Sequence, residues 1–163
     1  MTSTAFRRDR RGVTAVEFGL LTPVIIGLLL MVLEVGWQMA TEIALQHGVH
    51  DAARFAMTGQ STVPGLDGSP TCRAQAIVWL ATAEAPGILS PSNLSVMASA
   101  NGGTAVGSSQ SGFGGNATQT IVYVFTYSQP FLTPLGSMVL HRTSMTHQVT
   151  MLVQNEPYST PSC

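Results

Sequence analysis

A carboxylate stands at the head of an apolar run that has no evident need of one. Glu17 follows Gly12 by five positions and precedes an uncharged stretch, Phe18 to Leu33, while Arg7, Arg8, Arg10 and Arg11 crowd the residues before Gly12. An ordinary membrane anchor requires the basic flank and the apolar run. It does not require the acid, which costs about 2.5–3.5 kcal/mol at the centre of a bilayer and less near an interface. The same few residues thus supply a membrane orientation, a candidate processing site at Gly12 and an acidic group with work to do. The bland alternative is that Glu17, within about 7 Å of the basic boundary along a helix, turns its carboxylate back to water.

Other chemistry-bearing residues are sparse. His47 and His50, with Asp51 beside them, have a helical i, i+3 spacing that could hold a metal, but no third ligand stands out and a solvated helix face is the better reading. His141 and His147 receive the same reading. Glu34 and Trp37 mark the outer edge of the apolar run, where Trp commonly sits, and no chemistry is assigned to them. Cys72 and Cys163 are the two cysteines; on an exported segment a disulfide between them competes with two thiols that never pair. No Ser-His-Asp arrangement, P-loop, CxxC or dinucleotide-binding glycine pattern is present. Nothing calls for a cofactor, a metal or a small-molecule substrate.

The elements that position these residues follow from composition and periodicity. The chain has 163 residues, 45% hydrophobic and 9% charged, with a formal net charge of −1, a balance ordinary for an anchored protein and low for a freely soluble one. The part after residue 57 has no basic stripe with interleaved aromatics, which argues against nucleic acid as a partner. Val13–Leu33 supplies the roughly 20 residues that cross a bilayer core of about 30 Å. Arginines before it and Glu34, Glu42 and Asp51 after it place the N-terminus in the cytoplasm and the C-terminus outside. A cleaved secretory signal is disfavoured, because no small-x-small site follows the run closely.

Residues 1–12 read as a basic cytoplasmic leader, and 13–57 as a membrane helix with an exported extension, kinked at Pro23. In that extension Val35, Met39, Ile43, Leu45, Val49, Ala53 and Met57 form a loose apolar stripe, the mark of a helix half covered by other elements. Residues 58–157 form an exported α+β domain: a loop, a second helix over Thr71–Glu84, a short strand over Asn93–Ser99 and a Gly/Ser-rich flexible loop over 101–117. The best strand is Thr120–Tyr127, followed by a turn-rich Ser128–Gly136, then one long strand or two from Met138 to Gln154. Residues 158–163 are a tail. The expected architecture is α+β: a long transmembrane helix, a second helix and a three- or four-stranded antiparallel sheet.

The junction Arg-Arg-Gly, then Val13-Thr-Ala-Val-Glu17-Phe18, resembles a class IV prepilin, in which a short basic leader ends in Gly and Glu is the fifth residue after the cut. With Gly19 to Leu30, Glu34-Val-Gly-Trp37 and Ala52-Ala-Arg-Phe-Ala56, the chain resembles TadE-like proteins, pseudopilins of the tight-adherence (Flp, type IVb) pilus system. The likeness is closest over 10–57, looser over 120–157 and absent between. It implies a pilin-like fold and cleavage by a prepilin peptidase between Gly12 and Val13. It also implies assembly contacts through Glu17 and Phe18 with other pilins in the inner membrane. Cleavage would give Val13 an α-ammonium group that Glu17 of a neighbouring subunit could neutralise, two buried charges held as a pair. The expected role is assembly of an adhesive pilus by a substrate of the peptidase that is not itself an enzyme. The alternatives are an unprocessed single-pass periplasmic scaffolding or binding protein, and a small anchored hydrolase, for which the chain offers no catalytic constellation.

Overall fold

The computed structural model describes residues 11–60, 63, 72–83 and 85–158. Its longest element, α1 (Arg11–Met57), runs without a break through Pro23. It begins two residues before Val13, so that Gly12 is already helical. From Gly12 onward α1 is long and apolar enough to cross a membrane, and no residue of its most apolar window is buried by the rest of the chain. A helix that cannot hide its apolar side chains inside its own fold needs lipid or other helices around it.

The remainder packs on the far half of α1. Helix α2 (Arg73–Ala83) lies against it, and strands β1 (Leu94–Ala100), β2 (Val106–Gly107), β3 (Thr120–Pro130) and β4 (Ser144–Gln154) follow, with the short helix α3 (Pro134–Leu140) between β3 and β4. The sheet is antiparallel throughout, in the order β2-β1-β3-β4. The architecture is therefore α+β, as expected. In β3 the alternation of the sequence becomes an alternation of burial: Ile121, Tyr123, Phe125 and Tyr127 point inward. Phe125 lies between Val96 of β1 and Val149 of β4. Leu45, Val49, Ala52, Ala56, Ile77 and Ala81 supply the helical side of the core.

The two helices approach closely because Gly48 has no side chain. A Cβ there would lie 2.2 Å from the carbonyl oxygen of Ala81, well inside van der Waals contact. Glycine is generally unfavourable in a helix interior by roughly 0.5–1 kcal/mol relative to Ala, and close packing is what it returns here.

Several expectations need correction. Met138–Leu140 is not strand: Pro134 opens α3 after an extended Thr133, and His141, with φ 50 and ψ 36, closes it in the left-handed region. Proline pre-sets the helical φ at such a start, and only Ser144 onward is strand. The segment 101–117, expected to be a loop with few means of building a core, contains β2 and places Phe113 in the core, 1% exposed and edge-on to Tyr123. One aromatic residue gives the glycines around it something to fold over. The apolar stripe also divides. Leu45, Val49 and Ala53 are buried, but Val35, Met39 and Ile43 face outward, because polar residues of the same helix claim the covered face.

Candidate functional site

The residues singled out at the head of α1 are accessible. Val13 is 58% and Phe18 71% exposed, and Glu17 is exposed as well. Val13 and Glu17 are four residues apart, so they share one face of the helix. A methyl group added at Gly12 would meet nothing within 4 Å among the described residues, so the small size of this residue answers no packing demand among them. The Thr22 hydroxyl donates to the carbonyl of Phe18 at 2.7 Å, internal satisfaction of the kind a polar group needs in lipid.

A second polar array begins just beyond the apolar stretch. Glu34, Gln38, Glu42 and Gln46 recur every four residues and form a column on one face of α1. Gln38 Nε2 donates to Glu34 Oε1 at 3.2 Å, and Gln46 Nε2 to Glu42 Oε1 at 3.0 Å. Glu34 is neither a bystander nor a mere interface marker. Its Oε1 accepts the Leu132 N–H at 3.0 Å, and its Oε2 accepts the Thr133 N–H at 2.8 Å and the Thr133 hydroxyl at 3.1 Å. Burial pushes the Glu34 carboxyl up, but these bonds, with that from Gln38, outweigh it and hold the group below its ordinary value.

His147 of β4 completes the column, and its reading as a solvated surface histidine is overturned. The residue is 8% exposed. Its Nδ1 lies 2.7 Å from Glu42 Oε2 and its Nε2 2.9 Å from Gln38 Oε1. Gln38 spends its N–H on Glu34, so its oxygen must face the ring. Both ring nitrogens therefore meet side-chain oxygens of α1, which fixes the ring against the helix. The four-residue spacing on α1 is the one signal the sequence carries for this array; the partner, about a hundred residues away, has none.

At the other end of the extension one guanidinium gathers four segments. Arg73 is 1% exposed. Its Nη1 donates to the carbonyl of Gly114 at 3.0 Å and to the Tyr158 hydroxyl, and its Nη2 to Asn155 Oδ1 at 3.2 Å and to the carbonyl of Ala56 in the last turn of α1. The guanidinium also lies over the Tyr158 ring, 4.7 Å from its centroid. No carboxylate is among these contacts. One of the carbonyls the charge meets, that of Ala56, is at the C-terminus of α1, where the helix dipole is negative. Asn155 Nδ2 donates to the carbonyls of Gly114 and Asn116, at 3.0 and 2.9 Å, and the Glu156 N–H to that of Met57 at 3.0 Å. Tyr123 is buried nearby with no partner for its hydroxyl among the described residues. Burial pushes its phenol up to about 12, with Arg73 pulling it down and Tyr158 adding to the rise.

The other residues are dispersed. His47 and His50 are exposed on α1, and His141 caps α3. Cys72 packs at the margin of the core; Cys163, the other end of the expected disulfide, lies outside the described residues. The polar arrays fasten the domain to α1, and Gly12, Val13, Glu17 and Phe18, expected to serve processing and assembly, lie apart from them on the uncovered helix.

Residues 12–54 match the family model described as TadE-like protein. The match starts at Gly12 and ends at Arg54, so it covers the bare helix and most of its extension. It agrees with a TadE-like, pilus-associated protein. No curated protein and no solved structure matches the chain.

Proposed function

We propose that this chain is a TadE-like pseudopilin: a membrane-anchored subunit cut by a prepilin peptidase between Gly12 and Val13 and used to assemble a tight-adherence pilus. The observation that carries the proposal is the bare stretch of α1 with Glu17 near its start. The leader before Gly12 and the family match from residue 12 support it independently. The basic leader stays in the cytoplasm and the domain beyond Leu33 lies outside the inner membrane, the orientation favoured by the arginines.

In this reading Val13 acquires an α-ammonium group, and Glu17 of an adjacent subunit neutralises it within the low dielectric of the packed helices. Breaking such a buried pair costs about 3–5 kcal/mol. Phe18, Val35, Met39 and Ile43, all exposed, offer apolar surface to neighbouring pilins. The domain is bonded to its helix by hydrogen bonds of its own, which leaves this surface free. Cys72 and Cys163 are proposed to pair in the oxidising compartment.

Two variants in a host with prepilin peptidase test the reading. Gly12→Leu should leave a precursor heavier than the mature chain by twelve residues, about 1.4 kDa. Glu17→Ala should insert and be cut but lose co-purification with other pilins. Equal masses for the Gly12 variant and the parent would refute processing. A native chain that starts at Met1 or Thr2 would favour the unprocessed anchor. Normal piliation with Glu17→Ala would return Glu17 to the role of a carboxylate that snorkels.

A further inference from the structure

The connection between β3 and β4 sits at an informative height. Its Leu132 and Thr133 backbone N–H groups are bonded to Glu34, the residue immediately after the uncharged run of α1. From Gly12 to Glu34 the helix rises about 33 Å, against a bilayer core of about 30 Å. At the other end of the same hairpin, Glu156 is bonded to Met57, at the top of α1. The β3–β4 hairpin therefore runs alongside the exported half of the helix. Its 131–143 connection is held at the level where the apolar run ends.

That connection exposes large apolar side chains that no other described part of the domain covers. Leu132 is 57% exposed, Met138 69%, Val139 58% and Leu140 52%. Between α3 and α1 opens an apolar cleft of about 410 Å³, where Leu140, Phe131 and Met145 face Val35 and Met39. The connection contains no acidic residue and carries His141-Arg142 just before its end. His141 and Arg142 line an open depression of about 520 Å³ with the hydroxyl residues Ser137, Thr143, Ser144 and Thr146. Arg142 forms no hydrogen bond or ion pair among the described residues. Apolar side chains beside an uncommitted cation and a set of hydroxyls are complementary to acyl chains beneath phosphate headgroups.

We propose that the β3–β4 connection is a membrane-contacting foot: α3 rests in the headgroup boundary of the bilayer that α1 spans, with Met138, Val139 and Leu140 toward the acyl chains and Arg142 toward lipid phosphate. The inference rests on the membrane-anchored reading above and extends it. The foot adds a second point of attachment, which fixes the tilt of the domain on the membrane that a single helix leaves free. A neighbouring protein subunit is the competing occupant, and it lacks the coincidence of height with the end of the apolar run.

The test uses the full chain with one fluorophore. In a Trp37→Phe, Trp79→Phe background, Val139→Trp is reconstituted into vesicles whose phospholipids carry bromine on the upper acyl chain. Met138→Trp serves as a second reporter should the first fold poorly, and Leu152→Trp, on the outward sheet face, as a control. The foot predicts that bromolipid quenches the indole introduced at position 139 or 138 by about twofold or more and leaves the one at position 152 unquenched. The quenching should rise further when anionic phosphatidylglycerol is included, and Arg142→Gln should remove that rise. An alkali-resistant chain whose reporter is quenched by aqueous acrylamide and untouched by bromolipid overturns the foot and spares the anchor. So does a reporter shielded from both quenchers, which marks a protein partner. A chain that alkali extracts from the vesicles overturns the anchored reading and the foot with it.

Discussion

Replacing Arg73 by Met removes the guanidinium and keeps most of the aliphatic volume, which isolates the contribution of its hydrogen bonds. The carbonyl of Gly114 would keep its bond from Asn155 Nδ2, but Asn155 Oδ1 and the carbonyl of Ala56 would lose the bonds from Nη2. Each buried acceptor left without a donor costs about 1–3 kcal/mol, so the two together give roughly 3 kcal/mol, reduced only where water can enter. For a domain of about 100 residues, 1 kcal/mol moves the melting midpoint by about 4–8 °C, and the expected fall is about 12–24 °C. The midpoint is read from near-ultraviolet circular dichroism of the full chain in detergent, where helix α1 stays formed while the domain melts. Arg73→Lys should recover less than half of the loss, since one ammonium cannot replace a planar fork. Asn155→Ala combined with Arg73→Met should fall short of the sum of the two single effects by about 0.5 kcal/mol or more. A midpoint within about 4 °C of the parent, or strict additivity of the pair, would refute the assignment of Arg73 as the tie among α1, α2, the 112–116 turn and the C-terminal segment.

Gly48→Ala should cost about 1–3 kcal/mol in the same melt, because the new methyl meets backbone at Ala81 and not the end of a flexible side chain; an unchanged midpoint would mean that the α1–α2 contact is looser than described. Glu34 is held below its ordinary carboxyl value of 4.5, so its contribution is fully present above the unfolded value and is lost as pH falls through the folded one. Glu34→Gln should therefore lower the midpoint at pH 7 and flatten its decline below about pH 5, and an unaltered pH profile would contradict this. The proposed Cys72–Cys163 bond closes a loop of about 90 residues and should add roughly 4–5 kcal/mol in the chain-entropy model; two alkylated thiols in the unreduced protein, by intact mass, would exclude it.

How much is legible in the sequence depends on the range of the interaction. The membrane-length run, the extension of α1 beyond it, α2 and β3 are recorded in local periodicity, which is why the β-branched and aromatic residues alone place the start of β3 at Thr120. The end of the β3–β4 connection misleads because Met138-Val-Leu has strand-like composition, whereas Pro134 and the bonds from Leu132 and Thr133 to Glu34 decide for a helix. His147 and Arg73 are invisible for the same reason in stronger form. Each is buried because partners far along the chain satisfy it, and no local pattern records those partners. Phe113 shows the converse hazard: a Gly/Ser-rich stretch looks coreless until its one large side chain finds Tyr123.

The three fastenings along α1 have a mechanical consequence. Glu34 holds the turn at 132–133, Gln38 and Glu42 hold His147, and the end of the helix holds Arg73 and Glu156. The turn, His147 and Glu156 occur in the same order along the chain as their partners on the helix, with Arg73 of α2 joining the last of them. A pull along the helix axis therefore loads all three in shear and at once. Peeling would break them in sequence, each at a small force. Shear requires them to yield together, so the helix and its domain should move under such a load as one rigid piece.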